Sequence, residues 1–217
     1  VLFRSRLTLA EALASARETR DLTLGRGAVQ ATGPVFQRHF PARAAVIVTD
    51  GKNRGRAGAA VVSSLEAAGI GRRPDFVFPG DKLYAEFPHV AQLEESLRAH
   101  DAIPVAVGSG TINDLVKLAA HRAGRESYLC VATAASMDGY TAFGASITHE
   151  GAKQTFSCPA PRAVVADLDV IAGAPPEMTA AGYADLLAKV TAGADWILAD
   201  ADRKSTRLNS SHVSESR

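Results

Sequence analysis

Two loops carry the residue types from which this sequence could build a nucleotide site. Residues 108–114 read Gly-Ser-Gly-Thr-Ile-Asn-Asp and directly follow the apolar residues 103–107. Gly108 and Gly110 would let the backbone approach a pyrophosphate, whose charge is stabilised by free amides and by the dipole of a following helix. Asn113 stands where the Gly-x-Gly-x-x-Gly fingerprint has its third glycine. On this loop alone, a nucleotide-binding turn and a plain strand-to-helix connection both remain open.

Two carboxylates also follow apolar runs, where ligands of α/β proteins collect. Asp50 follows residues 44–49 and precedes a glycine. A carboxylate at the end of a strand can hold a ribose hydroxyl, although an Asp-Gly pair also suits a simple turn. Asp138 belongs to the second loop, which begins at Thr133 after residues 128–131 and reads Thr-Ala-Ala-Ser-Met-Asp-Gly. Both the ligand and the turn interpretation are open for each carboxylate.

A third carboxylate, Asp185, lies in an otherwise apolar helical segment. It could sit on the exposed face with Lys189, one turn later, as its partner, or point inward as a metal ligand. The histidines outside the C-terminal tail are not spaced to complete such a site; they are His39, His89, His100, His121 and His149. A complete metal site therefore cannot be assembled from this sequence.

The elements that must position these residues alternate between β-branched apolar runs and helical patterns. This rhythm predicts an α/β fold with a Rossmann-like parallel sheet covered by helices. Strands are expected at residues 44–49, 76–78, 103–107, 128–131 and 163–166, and a hairpin is expected from 146–148 and 154–156. Helices are expected at residues 56–68, 88–99, 111–121, 177–181 and 183–200. Thr111 and Asp114 fit a helix-capping pair.

The chain divides into segments that differ in their sequence pattern. Residues 6–166 are expected to form the nucleotide-binding α/β domain, and residues 167–201 the truncated start of an all-helical domain for metal and substrate. Residues 1–5 and 202–217 resemble the translation of the two strands of a sequencing-library adapter. We therefore expect both segments to be non-native and set them aside in considering the fold. The natural protein is expected to continue beyond residue 201.

Composition and charge exclude several classes of function. The chain is 47% hydrophobic and 22% charged, as a globular domain with a substantial core is. Its formal charge of +1 becomes −2 when the adapter-like ends, with five basic and two acidic residues, are removed. Nucleic-acid binding then loses its global support. No apolar run reaches the ~20 residues of a membrane helix, so a cytoplasmic enzyme is expected. Cys130 and Cys158 lack metal-type spacing, and Cys130 is expected to be buried.

Three strings together resemble a known family: residues 108–114, the stretch Thr-Ala-Ala-Ser-Met-Asp-Gly-Tyr at 133–140, and the helix of Asp185. They are similar to those of bacterial sn-glycerol-1-phosphate dehydrogenases, within the iron-containing alcohol dehydrogenase and dehydroquinate synthase-like superfamily. The resemblance spans about residues 21–201 and covers the front half of a family member. It implies metal-dependent hydride transfer between a nicotinamide cofactor and dihydroxyacetone phosphate or sn-glycerol 1-phosphate, in phospholipid metabolism, at an active site between a Rossmann-like and a helical domain.

The resemblance also implies individual roles. NAD or NADP would be bound by Asp50, Gly110, Thr111, Ile112, Asn113, Asp114, Thr133, Ala134, Ala135, Ser136 and Ala142. At Ala142 the sequence departs from the family, which has a cofactor-contacting serine there, and Thr141 is the candidate substitute. Asp138 would contact the phosphorylated triose, and Asp185 would contact the substrate and bind zinc or nickel. The family's two histidine ligands are absent, so this chain is expected to be inactive; the full-length protein could be a homo-oligomer.

Other functions compete with this one. Within the superfamily they are a glycerol dehydrogenase and a dehydroquinate synthase-like lyase, and the string Ser-Met-Asp-Gly-Tyr favours the glycerol-1-phosphate group over both. Outside it they are a nucleotide-binding remnant without catalysis and an α/β domain whose Asp-Gly pairs are only turns. Fold alone does not separate these possibilities.

Overall fold

The computed structural model describes residues 8–80 and 82–201, and its centre is a parallel β-sheet. The strands are β1 (Asp21–Gly25), β2 (Ala45–Asp50), β3 (Phe76–Phe78), β4 (Ile103–Gly108), β5 (Leu129–Ala132), β6 (Ala145–His149), β7 (Ala152–Phe156) and β8 (Ala163–Asp167). Six of them form the sheet in the order β1-β8-β5-β4-β2-β3, and every pairing in it is parallel. β6 and β7 form the separate antiparallel hairpin that the sequence predicts.

Helices connect the strands. They are α1 (Leu9–Ser15), α2 (Thr32–His39), α3 (Gly51–Asn53), α4 (Ala59–Ala67), α5 (Phe87–Arg98), α6 (Gly110–Arg122), α7 (Leu168–Ala172) and α8 (Pro176–Ala201). A π-helical segment, Arg54–Gly58, joins α3 to α4. Gly69 and Gly124 end α4 and α6 in the left-handed region, at φ +70° each. Their amides bond back to the preceding turn, as a residue without a Cβ atom allows.

Each face of the sheet has its own core, because successive strand residues point to opposite sides. One face packs against α5 and α6 and includes Val46, Val48, Ala106, Cys130 and Val164. The other packs against α2 and α4 and includes Ala45, Ile47, Val105, Val131 and Val165. Strands covered on both sides are apolar throughout, as these are. This three-layer arrangement confirms the predicted Rossmann-like α/β fold.

The predicted strands are confirmed to within two residues, but two helix starts need correction. The helix after β2 begins at Gly51 rather than Arg56, because the Asp50 carboxylate accepts a hydrogen bond from the Asn53 amide at 2.8 Å and caps it. α6 begins at Gly110 rather than Thr111, and its N-cap residue is Ser109, whose side chain makes no capping bond. The predicted capping pair of α6 is therefore wrong: Thr111 lies inside the helix and Asp114 has other partners.

The last helix is also longer than predicted, since α8 continues through Gly182 without a break. The sequence patterns did not reveal β1, α2 or α7, which are short or polar elements. The adapter-like residues 1–5 and 202–217 lie outside the described residues, so their prediction stays untested. In the described part of the chain, no helix is long and apolar enough to cross a membrane.

Candidate active site

The sheet order places two of the predicted loops side by side. β2 lies between β3 and β4, and the chain leaves β2 toward β3 before it crosses back to β4. This reversal is a topological switch point, where parallel α/β sheets bind ligands beyond the carboxyl ends of their strands. Asp50 ends β2 and Gly108 ends β4. Both residues thus lie at the edge where a ligand is expected.

The N-terminus of α6 is open at this edge. The first amide with a partner inside the helix is that of Asn113, which donates to the Ser109 carbonyl at 3.1 Å. Within the described residues, the amides of residues 110–112 have no protein acceptor, and Ser109 does not cap them. Free amides and a helix dipole together bind phosphate groups.

The two glycines of the first loop also lie in close packing, which excludes a side chain at Gly108 but meets only the flexible end of Met137 at Gly110. A Cβ atom at Gly108 would lie 2.4 Å from Cγ1 of Ile112, and one at Gly110 would lie 3.0 Å from Met137. Gly108 therefore lets β4 turn tightly over the first turn of α6. Gly110 lets the second loop approach the helix start, so that the two loops form one surface.

A chain of hydrogen bonds connects Asp50 to the second loop. The Asp50 carboxylate accepts from the Asn53 amide and from its side-chain Nδ2, each at 2.8 Å. Asn53 Oδ1 then accepts from the Thr133 hydroxyl at 2.7 Å. The Thr133 amide donates to the Gly108 carbonyl at 3.1 Å. The carboxyl ends of β2, β4 and β5 are thereby held together, and Asn53 is a member of the site that the sequence reasoning missed.

A cavity of about 350 Å³ opens at this edge. Asp50, Ser109, Thr111 and Thr133 line it together with the start of α8, and it contains the cations Lys52, Arg56 and Lys82. Its position at the switch point and the free helix start beside it make it the candidate nucleotide cleft.

Two residues of the first loop point inward instead. The side chains of Ile112 and Asn113 are buried, at 0% and 1% exposure. Asn113 Oδ1 accepts a hydrogen bond from the Tyr128 hydroxyl at 2.8 Å. Any contact of these two residues with a cofactor must therefore come from the backbone.

Asp114 belongs to a buried group of polar residues around Lys117. Burial raises the pKa of its carboxyl group, and the neighbouring ammonium of Lys117, 3.7 Å away, opposes that rise. Lys117 is itself only 1% exposed. Its ammonium donates to the carbonyls of Ala142 and Gly144, at 2.9 Å each. Lys117 thus holds the segment before β6 against α6. The sequence analysis missed this role, which only the presence of a basic residue in an apolar helix could have indicated.

That segment lines a second cavity of about 340 Å³. Asp114, Ser136, Ala142 and Asp185 are among its lining residues. Ala142 is thus beside the second loop, while Thr141 is exposed and does not line this cavity. Ala134 is buried, and its carbonyl accepts a hydrogen bond from the Tyr140 hydroxyl at 2.7 Å. Burial raises the pKa of Tyr140, so its hydroxyl stays protonated and keeps this bond.

The structure brings Asp138 and Asp185 into contact. The Asp138 amide donates to Asp185 Oδ2 at 3.0 Å. Lys189 lies between the two carboxylates, with its Nζ atom 3.3 Å from Asp138 Oδ2 and 3.9 Å from Asp185 Oδ1. The pairing of Asp185 with Lys189 agrees with the first interpretation, and its role as a metal ligand stays a prediction.

Gly182 makes this contact possible. A Cβ atom there would lie 2.0 Å from the carbonyl oxygen of Ala135, so only glycine lets α8 approach the second loop so closely. No local pattern around Gly182 predicts this role. In the described part of the chain, no group of three or more His, Cys, Asp or Glu side chains could hold a metal ion. Asp185 and Asp138 by themselves, with an ammonium between them, do not make a divalent metal site.

Comparison with known proteins identifies a family for this chain. Residues 23–175 match the family model described as iron-containing alcohol dehydrogenase. Glycerol-1-phosphate dehydrogenase (NAD(P)+) of Halalkalibacterium halodurans is 34% identical over 181 residues, which are 82% of this chain and 45% of the relative. The protein of the same name from Methanosarcina barkeri is 34% identical over 180 residues, 83% of this chain and 49% of the relative. The chain thus spans about half the length of the relatives that it matches.

Solved structures share the fold. Glycerol dehydrogenase from Schizosaccharomyces pombe superposes with a TM-score of 0.67 at 23% identity, over 84% of this chain and 45% of that one. NADH-dependent butanol dehydrogenase A from Thermotoga maritima gives a TM-score of 0.67 at 21% identity, over 78% of this chain and 48% of that one. At such identities the likeness concerns the fold alone. The predicted resemblance is confirmed by the family match: the chain belongs to the iron-containing alcohol dehydrogenase family, a family of oxidoreductases.

Proposed function

We propose that the full-length protein interconverts dihydroxyacetone phosphate and sn-glycerol 1-phosphate with NAD(H) or NADP(H). The observation that carries the proposal is the uncapped N-terminus of α6 at the switch point of the sheet. The names of the relatives, glycerol-1-phosphate dehydrogenase (NAD(P)+), support this substrate over free glycerol. The reaction would take place in the cytoplasm, where nicotinamide cofactors are freely available.

The cofactor would lie across the first cavity. Its pyrophosphate would accept hydrogen bonds from the amides of Gly110, Thr111 and Ile112. Asp50 would accept from a ribose hydroxyl, since each of its oxygens has a lone pair beyond the one engaged by Asn53. The second loop, Thr133 to Ser136, would border the nicotinamide half, and Ala142 would line its far side. Asn113 and Asp114 would act by fixing the first turn of α6 rather than by side-chain contact.

The substrate would lie against Asp138 and Asp185. When bound, the reduced nicotinamide would supply the hydride that reduces C2 of dihydroxyacetone phosphate, and the C2 oxygen would gain a proton from solvent or from a protein group. The protein would hold the nicotinamide and this carbon close together. The hydrogen bonds of Thr133 to Asn53 and to Gly108 connect the two loops and the end of β2 into a frame for that purpose.

We also propose the division of the chain into a nucleotide-binding domain, residues 6–166, and the start of a helical domain, residues 167–201. In the full-length protein Asp185 would contribute one ligand to a zinc or nickel site, which supplies Lewis-acid polarisation of the substrate oxygen. The described residues alone do not fit such a metal. The 217-residue chain should therefore bind a nucleotide but fail to reduce dihydroxyacetone phosphate.

Nucleotide binding can be tested with a matched pair of variants at the helix start. The 217-residue chain is titrated with NADH, and binding is followed by nicotinamide fluorescence. Gly110→Glu places a carboxylate beside the free amides, so it should weaken NADH binding by at least about tenfold through like-charge repulsion. Gly110→Ala is the control: its Cβ meets only the flexible Met137 side chain, and it should bind NADH within about twofold of the parent. Equal binding by all three proteins would contradict the proposed cleft.

Catalysis requires a second measurement, on a full-length version. Oxidation of NADH with dihydroxyacetone phosphate is compared with NAD reduction by free glycerol and with release of inorganic phosphate. Preference for free glycerol would indicate a glycerol dehydrogenase, and phosphate release without a change in the cofactor would indicate a lyase. Cofactor binding without any turnover would leave a nucleotide-binding protein. Turnover of dihydroxyacetone phosphate by the 217-residue chain would refute the proposed inactivity.

A further inference from the structure

Three basic side chains line the candidate nucleotide cleft: Lys52, Arg56 and Lys82. All three residues are exposed, and none of them forms an ion pair with an acidic side chain in the described part of the chain. Their neighbour Arg54 differs, because its guanidinium lies 3.7 Å from the carboxylate of Asp75 and outside the cleft. Cations thus collect on the cleft side of this segment, and the described residues pair none of the three with a carboxylate.

The local backbone brings two of these cations to the same place. Lys52 belongs to α3 and Arg56 to the π-helical segment that follows it, and both line the cleft. Side chains four residues apart lie on one side of a helix, and π-helical turns often occur at functional sites. Lys82, from the segment after β3, completes the cluster from the neighbouring strand.

Asp50 is the carboxylate that would ordinarily accept a hydrogen bond from an unphosphorylated ribose. Both of its oxygens already accept hydrogen bonds from Asn53, which donates from its amide and from its side chain at 2.8 Å each. Of the charged residues that line the cleft, three are basic and two, Asp50 and Glu177, are acidic. Basic side chains thus outnumber acidic ones in the lining of the cleft.

We infer that Lys52, Arg56 and Lys82 form a binding site for the 2′-phosphate of NADP(H), so that this chain binds NADP(H) more tightly than NAD(H). A basic side chain near the end of the second strand is how dinucleotide folds accommodate that phosphate. The inference rests on the proposed function, because it assigns a ligand group to the same cleft. It adds the cofactor preference and the residues responsible for it.

The test compares NADPH and NADH on the 217-residue chain, its Lys52→Gln/Arg56→Gln variant and an Arg54→Gln control. The parent should bind NADPH about tenfold more tightly than NADH, because charge-assisted contacts to a phosphate are among the stronger hydrogen bonds. The double variant should lose about tenfold in NADPH affinity and keep its NADH affinity within about twofold. Added salt should weaken NADPH binding more than NADH binding. Arg54→Gln should leave the ratio of the two affinities unchanged.

The possible failures are distinguishable. Binding of both cofactors with NADH equal to or tighter than NADPH would overturn the inference and leave the nucleotide cleft intact. An equal loss for both cofactors in the double variant would also overturn it. Binding of neither cofactor to the parent would refute the cleft itself, and the inference with it.

Discussion

Replacement of Gly182 by alanine should separate α8 from the loop that carries Asp138. A Cβ atom at Gly182 would lie 2.0 Å from the carbonyl oxygen and 2.9 Å from the carbonyl carbon of Ala135, whereas ordinary contact begins at 3.4 Å. Both obstacles are backbone atoms, which cannot rotate away as a side chain does. The helix and the loop must therefore move apart by roughly 1.4 Å, because a packed interior does not compress.

The cost of this overlap decides how the molecule responds. Overpacking costs about 1–3 kcal/mol. The polar contacts of α8 with the loop are of similar size: the hydrogen bond from the Asp138 amide to Asp185 contributes about 1 kcal/mol. The pairs of the 40% exposed Lys189 side chain contribute about 0–1 kcal/mol each. The free energy lost when α8 separates locally from the loop is thus no larger than the free energy of the steric overlap. The free energy of unfolding of the core should fall by less than about 1 kcal/mol.

Amide hydrogen exchange at Asp138 measures this separation directly. In the parent the Asp138 amide is bonded to Asp185, and in Gly182→Ala it should exchange about fivefold faster, as the loss of about 1 kcal/mol implies. Gly193→Ala is the matched control on the same helix, because nothing lies within 4 Å of its new Cβ atom. It should leave the Asp138 amide unchanged and stabilise the helix by about 0.5–1 kcal/mol. An unchanged exchange rate in Gly182→Ala would refute the argument.

Three further predictions concern the core of the sheet. Burial opposes ionisation of Asp167, but the amides of Val29, Asp169 and Gly27 outweigh it and lower its pKa. Asp167→Asn should therefore reduce the free energy of unfolding by about 2 kcal/mol at neutral pH. The difference in free energy of unfolding between the parent and the variant should disappear as the pH falls from 3.8, the ordinary pKa, through the lowered pKa of the folded state. Urea titrations that gave the same difference at neutral and at acid pH would contradict this. Burial raises the pKa of Cys130 and Cys158 to about 12, so neither should react with a thiol reagent until urea unfolds the chain, and rapid native labelling would be inconsistent with the packing. Gly108→Ala, with its Cβ atom 2.4 Å from Ile112, should lower the urea midpoint by the equivalent of about 1–3 kcal/mol; an unchanged midpoint would show that β4 and α6 can separate freely.

The fold class could be predicted because its signals are local. Each central strand is a continuous apolar run, and β2 and β4 are each followed by a helical pattern, so this alternation indicates a covered parallel sheet. The short edge strand β1, Asp-Leu-Thr-Leu-Gly, escaped prediction because only two of its residues are apolar. The start of the helix after β2 was misplaced for a related reason: Asp50 suits a turn and a helix cap equally well, and only the bond to Asn53 distinguishes them.

The site could be predicted in part for the same reason. The two loops were found because they directly follow strands, and all parallel strands of a sheet end at the same edge. Which side chains face the cleft could not be read in this way. Asn113 and Ile112 belong to the first loop by sequence, yet the first turn of α6 directs them into the core. Lys117 enters the core because two carbonyls and Asp114 meet its ammonium there.

The sequence by itself determined the central strands, the longer helices and the loops that carry polar groups, because backbone preference and hydrophobic period act over a few residues. The tertiary structure alone decided the contacts between distant residues: Asn53 with Thr133, Asp138 with Asp185, and Gly182 beneath Ala135. These depend on the strand order and on how closely two backbones can approach. Such quantities are set by packing across the whole domain, and no local pattern contains them.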